Sequence, residues 1–320
     1  GNIEYDICTG CGKYFSDSSG KNEIEEGSWI LPLKEITYAE EVSLSSYSTE
    51  MSTGGTLQLY AYIQPYKADS KDVIWTSSDE SIATVSSTGV VTVLRYGKVT
   101  ITATAADGSG VAAMCEIQTR FNDVAGSNVK DDPDYQYYYN AVYWAADNGI
   151  TKGYDNVYFG PERNCTRREM MIFLWRMAGN PVTDSVGNTY GDARTYFPDL
   201  TYEASTDTNK AIAWGYKEGI VKGYADGTFG QDRTLTRKDA MIMLYRLAGK
   251  PAVSGTSDFT DLNDSGYSKD TDTYKAIVWG TELGITNGYT SGEYAGQFGM
   301  DLDCLREHIV TFLYRYEQKR

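Results

Sequence analysis

Phe121-Asn122-Asp123-Val124, Phe197-Pro198-Asp199-Leu200 and Phe259-Thr260-Asp261-Leu262 are three versions of one short phrase, and the same sequence of events follows each. A tryptophan comes next (Trp144, Trp214, Trp279), then a Gly-Tyr pair (Gly153-Tyr154, Gly223-Tyr224, Gly288-Tyr289), then an arginine that opens a helical stretch (Arg167, Arg237, Arg306). The arginines stand 70 and 69 residues apart. A fixed period held over three copies marks a tandem array of small modules. Modules of this size bury their apolar faces against one another, so the surfaces between them are natural binding places.

The helix after each arginine is written in its apolar spacing. Met170, Phe173, Leu174 and Met177 stand at i, i+3, i+4 and i+7; so do Ala240, Met243, Leu244, Leu247 and Ile309, Phe312, Leu313, Tyr316. One face of each helix therefore points inward. Thr166-x-x-Glu169 and Thr236-x-x-Asp239 predict capping boxes at the first two starts, and Gly179-x-Pro181 and Gly249-x-Pro251 predict the stops. The third copy reads Cys304-Leu305-Arg306-Glu307, without a threonine, so its start is expected to be looser or capped by Asp303. Cys165, Leu235 and Cys304 hold one position, just before the cap. Exchange of cysteine with leucine predicts a buried apolar slot, not chemistry.

Working outward toward the N-terminus, the period changes to two. Thr56-Leu57-Gln58-Leu59-Tyr60-Ala61-Tyr62-Ile63 alternates, as do Val90-Val91-Thr92-Val93 and Val99-Thr100-Ile101-Thr102-Ala103-Thr104, with Gly54-Gly55, Thr88-Gly89 and Asp107-Gly108 between. Short alternating runs at this spacing predict a β-sandwich, with Trp75 expected on a central strand and Cys115 facing inward. The phrases G-G-T-L-Q-L, I-W-T-S-S-D-E-S-I-A-T-V, S-T-G-V-V-T and G-K-V-T-I-T-A-T make this segment resemble the group 2 bacterial immunoglobulin-like domain. Residues 1–34, with Cys8-x-x-Cys11, resemble the last half of a short cysteine-rich surface module. Four zinc ligands are not at hand there, so a free thiol pair or a local disulfide is expected.

Composition narrows the function. A net charge of −15 argues against nucleic-acid binding, which needs a basic surface. A single histidine, His308, leaves little for a histidine-built catalytic or metal site, and five scattered cysteines make no disulfide framework. No stretch approaches the length of a membrane span. The chain begins mid-pattern at Gly1, as a fragment or processed form would. Acidic, tyrosine-rich, cysteine-poor composition fits an extracellular surface protein.

The repeated pattern F-x-D-[VL], A-[VI]-x-W, G-I-x-x-G-Y, F-G-x-x-x-x-T-R-x-[ED], L-x-R-x-A-G resembles the S-layer homology module. The expectation is a multidomain chain: a remnant or linker at 1–34, an all-β immunoglobulin-like sandwich at 35–119, and modules at 120–182, 183–251 and 252–320. The resemblance implies that the last three form a mainly α, pseudo-threefold trimer within one monomeric chain, with a central three-helix bundle. It implies grooves that bind the secondary cell-wall polysaccharide attached to peptidoglycan in Gram-positive bacteria, commonly through a pyruvylated terminal sugar. The chain would then be an extracellular, non-covalent wall anchor with the sandwich as spacer, using no cofactor, metal or catalytic residue and touching neither nucleic acid nor membrane.

That chemistry gives candidate roles. A pyruvyl ketal carries a carboxylate, which suits the planar guanidinium of Arg167, Arg237 and Arg306 at the first turn of a helix. Trp144, Trp214 and Trp279 could give the sugar an aromatic face or fill the core. Asp123, Asp199 and Asp261 could accept from its hydroxyls or cap a turn. Gly153, Gly223 and Gly288 allow close approach of backbone. Arg176, Arg246 and Arg315, further along each helix, are expected to pair with acids. The first two copies keep the Thr-Arg start, so two good grooves at most are expected, with that of Arg306 degenerate. Two rival readings are an adhesin, using Tyr60, Tyr62 and Tyr66 on the sandwich, and a glycosidase. The latter needs two carboxylates roughly 5 to 9.5 Å apart in a cleft, and no segment remains to house one.

Overall fold

Strict alternation of apolar and polar residues builds the first half of the chain. In the computed structural model, which describes residues 4–30, 35–124, 126–127, 130–131 and 135–320, β11 (Lys98–Ala105) and β12 (Ala112–Arg120) are antiparallel neighbours. Val99, Ile101, Ala103 and Ala105 on one, and Ala113, Cys115 and Ile117 on the other, are buried. With β5 (Ser48–Ser52), which lies parallel to β12, and β8 (Val73–Ser77) they make a sheet ordered β5-β12-β11-β8. A second layer is made by β6 (Thr56–Gln58), β10 (Val90–Val93) and β9 (Ala83–Val85), ordered β6-β10-β9, and by the pair β4 (Glu41–Leu44) and β7 (Ala61–Gln64). One core serves both layers, with Leu59, Ile63, Val91, Val93, Ile101 and Ile117 in it. Trp75 departs from expectation: β8 is a sheet edge, not the centre. Its ring still packs on the core, where Gly89 passes so close that a Cβ would sit 2.9 Å from the indole.

Before the sandwich, β1 (Asp6–Ile7), β2 (Tyr14–Phe15) and β3 (Glu23–Ile24) form a small antiparallel meander. Tyr5, Tyr14 and Trp29 cluster beside it, with Tyr5 stacked on Trp29 at 4.2 Å between centroids and Tyr14 tilted against both. Cys8 and Cys11 are free thiols. The expected boundary at residue 34 lies outside the described residues.

From Tyr139 on, the elements are helices: α1 (Tyr139–Asp147), α2 (Arg167–Met177), α3 (Asp207–Lys217), α4 (Arg237–Leu247), the short α5 (Thr260–Asp264), α6 (Asp272–Glu282) and α7 (Arg306–Glu317). None is long and apolar enough to cross a membrane. The second helix of each copy packs on the first helix of the next: α2 on α3, α4 on α6, and α7 back on α1. The backbone just before each second helix repeats this order. Leu235 N donates to Cys165 O (2.9 Å), Cys304 N to Leu235 O (2.7 Å), and Cys165 N to Cys304 O (2.8 Å). Those three side chains are fully buried, so the apolar slot read from Cys/Leu exchange is real.

The caps follow sequence in part. Thr166 and Glu169 form the reciprocal capping box, while Thr236 accepts from Asp239 N without reciprocation. In the third copy Asp303 does not cap; its carboxylate accepts from Asn164 Nδ2. His308 takes the vacant role, Nδ1 accepting from Leu305 N at 3.2 Å.

The sandwich is seated on the first copy through aromatic rings. Tyr96 stacks on Phe121 (4.9 Å) and on Tyr143 (5.5 Å), and its hydroxyl donates to Asp147 at 2.6 Å. Arg120 lies 4.6 Å over the Tyr143 ring and pairs with Glu50 on β5. Thr53 Oγ1 donates to Val157 O at 2.8 Å.

Candidate functional site

Each helix-opening arginine leaves its own copy. Arg167 Nε donates to Phe229 O (3.0 Å) and Nη2 to Lys222 O (3.2 Å), with the guanidinium 4.6 Å over Tyr224. Arg237 Nε donates to Phe298 O (2.9 Å), with its guanidinium 4.7 Å over Tyr289. Arg306 Nε donates to Phe159 O (3.0 Å), returning to the first copy, with its guanidinium 4.9 Å over Phe159. All three are buried, at 5%, 3% and 2% exposure. Burial of that depth is tolerable for a cation only because carbonyls and ring faces replace water. Burial also lowers the pKa of Arg167.

The aspartates set the loops that receive these arginines. Asp123 accepts from Phe159 N (2.8 Å) and Gly160 N (2.7 Å). Asp199 accepts from Phe229 N and Gly230 N, both at 2.8 Å. Asp261 accepts from Phe298 N, Gly299 N and Met300 N at 2.8–2.9 Å. Of the two roles the sequence left open, the carboxylates fill the turn-capping one. The carbonyl of the phenylalanine held this way is the one the arginine finds.

Two other candidate groups pack against the protein itself. Trp214 and Trp279 are 4% and 3% exposed within the helical core, which leaves no ring face for a sugar; Trp144 is less covered but packs on Tyr314 at 5.5 Å. The tightness at the Gly-Tyr pairs comes from the protein itself. A Cβ on Gly153, Gly223 or Gly288 would meet the ring of Phe121, Phe197 or Phe259 at 2.8, 2.7 or 2.4 Å. These glycines make room for the phenylalanine of the repeated phrase.

The junctions differ where they matter electrically. Between the first and second copies lies a cavity of about 180 Å³ lined by Arg167, Lys222, Tyr224, Asp239 and Arg246. Its counterpart between the second and third copies is about 510 Å³, and position for position it holds Arg237, Asn287, Tyr289, His308 and Arg315, with Tyr135 and Tyr137 at one side. At the third junction Arg306 Nη1 is ion-paired with Glu169 (2.7 Å), and its Nη2 is buried without a partner. The residue facing each arginine, the third of the neighbouring helix, is thus Glu169, Asp239 or His308. The sequence assigned Glu169 and Asp239 to helix capping alone, and gave no sign that this position faces the arginine of another copy.

The later arginines divide in the same way. Arg176 and Arg246 each reach the carbonyl of an isoleucine (Ile150, Ile220) and pair with an aspartate at the start of the next copy's first helix, Asp207 at 3.0 Å and Asp272 at 2.9 Å. Arg315 reaches Ile285 O (3.1 Å) but has no carboxylate partner among the described residues, contrary to expectation. Tyr137 stands where the aspartate would be, seven residues before the tryptophan, and donates its hydroxyl to Glu307 (2.7 Å).

Burial first, then the Arg237 charge, push the His308 imidazole down to about 3. A depressed base contributes stability that is complete above the unfolded value near 6.5 and is lost as pH falls below it, because only the unfolded chain takes up the proton. The expected loss between pH 7 and pH 5 is about 2 kcal/mol, measured as wild type minus H308Q in urea unfolding at the two pH values. Glu307, whose pKa burial raises, gains stability as pH falls, but equally in both proteins. Curves that shift in parallel would refute the neutral imidazole.

Residues 39–115 match the family model of the bacterial Ig-like domain (group 2), and residues 130–171 and 203–241 match that of the S-layer homology domain. Two of the three copies read from sequence are matched. The chain is 30% identical over 156 residues (46% of this chain, 6% of the relative) to cell surface glycoprotein 1 of Acetivibrio thermocellus. It is 29% identical over 119 residues (35% of this chain, 24% of the relative) to the cellulosome-anchoring protein of the same organism. It is 36% identical over 94 residues (29% and 8%) to a 3-O-alpha-D-galactosyl-alpha-L-arabinofuranosidase of Bifidobacterium longum. The chain spans a quarter or less of the length of these relatives.

Proposed function

We propose that this chain is a non-enzymatic anchor that holds a surface protein on the cell wall of a Gram-positive bacterium by binding a secondary cell-wall polysaccharide. The observation that carries the reading is the crossing of Arg167, Arg237 and Arg306 into the Gly-Tyr and Phe-Gly loops of the neighbouring copy. Helix-start guanidinium groups, two of them over tyrosine faces, suit a pyruvylated, and so carboxylate-bearing, sugar. In this reading residues 120–182, 183–251 and 252–320 form one pseudo-threefold unit around α2, α4 and α7, and residues 35–119 are its spacer. The head-to-tail ring of hydrogen bonds through Cys165, Leu235 and Cys304 supports that arrangement. Asp123, Asp199 and Asp261 position the receiving loops, with Gly153, Gly223 and Gly288 beneath them. Surface location agrees with the two Acetivibrio relatives.

The test is sedimentation of the full chain with purified Gram-positive cell walls. Binding is expected to intact walls and to be lost when the secondary polymer is stripped. Equal binding to stripped walls would overturn the proposal.

A further inference from the structure

The three junctions are built from the same positions, yet among the described residues only one leaves both of its helix arginines without an ion-pair partner. At the junction of the first and second copies, Asp239 lines the cavity with Arg167, and Arg246 is neutralised by Asp272. At the junction of the third and first, Glu169 is paired with Arg306, and Arg176 with Asp207. At the junction of the second and third, both acids are replaced. His308 stands where Glu169 and Asp239 stand, and Tyr137 where Asp207 and Asp272 stand. Arg237 and Arg315 therefore line one cavity with no ion-pair partner among the described residues, and that cavity is the roomier of the two at about 510 Å³ against about 180 Å³.

The histidine's geometry adds a donor. Its Nδ1 accepts from Leu305 N, so the neutral ring carries its proton on Nε2. Glu307, the nearest acid, accepts from the Tyr137 hydroxyl and lies 3.8 Å from that Nε2. Thr286, Asn287, Thr290 and Ser291 supply hydroxyl and amide groups along the same wall.

We propose that the groove between the second and third copies is the anion-receiving groove of this chain. It takes a carboxylate-bearing sugar terminus between Arg237 and Arg315, and His308 is the residue that makes it selective. This rests on the glycan-binding reading above and departs from the sequence expectation, which gave the best grooves to the copies that keep a Thr-Arg start. An acid at position 308 would close the groove by supplying internally the charge that the ligand brings. At the other two junctions Glu169 is paired with Arg306, and Asp239 lines the same cavity as Arg167.

Calorimetric titration of the full chain with a methyl glycoside carrying a 4,6-pyruvyl ketal, and with the neutral 4,6-ethylidene acetal, tests this. Wild type is expected to bind about one equivalent of the acid and the neutral acetal at least about tenfold more weakly. H308E is expected to lose about tenfold or more in affinity for the acid, H308Q only about threefold, and R315Q about tenfold, all with native circular dichroism. Wild-type affinity in H308E, or two to three equivalents bound, would overturn the assignment. If wild type sediments with walls but H308E does so equally well, the groove assignment alone fails; if wild type binds neither walls nor glycoside, the anchoring function fails with it.

Discussion

Asp261→Ala is expected to lower the stability of the helical half by about 3 kcal/mol, the cost of leaving three backbone donors without their acceptor at a partly covered turn. Phe298 N, Gly299 N and Met300 N all converge on that carboxylate. The consequences run past the turn. Phe298 O receives Arg237 Nε, Leu302 O receives Arg237 N, and Met300 O receives Lys238 N, so the turn that Asp261 organises is also the seat of the α4 start. Removing the carboxylate frees the donors and lets the seat drift together. Asp261→Asn should recover less than half of the loss, because one of its two side-chain atoms becomes a donor aimed at donors. Urea unfolding followed by tryptophan fluorescence measures both. A loss under about 1 kcal/mol for the alanine variant would mean that water replaces the carboxylate, and that the aspartate is not what shapes the loop.

Much of this architecture is legible in the chain because its signals are local. The i, i+3, i+4, i+7 stripes of α2, α4 and α7, the Thr166–Glu169 box and the alternation in β11 depend on residues within one or two turns of each other. Exchange of Cys165, Leu235 and Cys304 gave the buried slot by the same internal comparison. What escaped has partners far away. The aspartate of the repeated phrase meets backbone N–H groups 30 to 39 residues later, and no periodicity reports that. The arginines find carbonyls about 60 residues on, or 147 residues back for Arg306. Tryptophan at a helical spacing carries the same signature whether it fills a core or faces a sugar, and here Trp214 and Trp279 fill the core. The charge asymmetry of the grooves was readable, since Glu169, Asp239 and His308 align without gaps after Arg167, Arg237 and Arg306. Its meaning needed the knowledge that this residue faces the arginine of another copy.

Arg306→Ala is expected to have the largest effect on the molecule, about 4 kcal/mol of destabilisation. Removing one partner of a buried pair strands the other, and such losses run to roughly 3–5 kcal/mol. Arg306 is 2% exposed, pairs with Glu169 at 2.7 Å, donates to Phe159 O at 3.0 Å and lies between the rings of Phe159 and Phe173. It is the side chain by which the last copy closes on the first. Its Nη2 has no partner, so the native state already carries a desolvated donor that the surrounding contacts must outweigh. A double-mutant cycle separates the terms. Glu169→Gln keeps an acceptor for Thr166 N in the capping box and removes the charge together with the oxygen that faces Arg306. Arg306→Met keeps the packing volume between the two phenylalanines and removes charge and donors. The cycle over Arg306→Met and Glu169→Gln is expected to give a coupling of about 2 kcal/mol, the part that belongs to the ion pair, with the rest of the alanine loss assigned to packing and the Phe159 carbonyl. A coupling near zero would make the pair a tolerated by-product of burying the arginine. Ring closure would then rest on the apolar slot of Cys165, Leu235 and Cys304 and on the packing of α7 against α1.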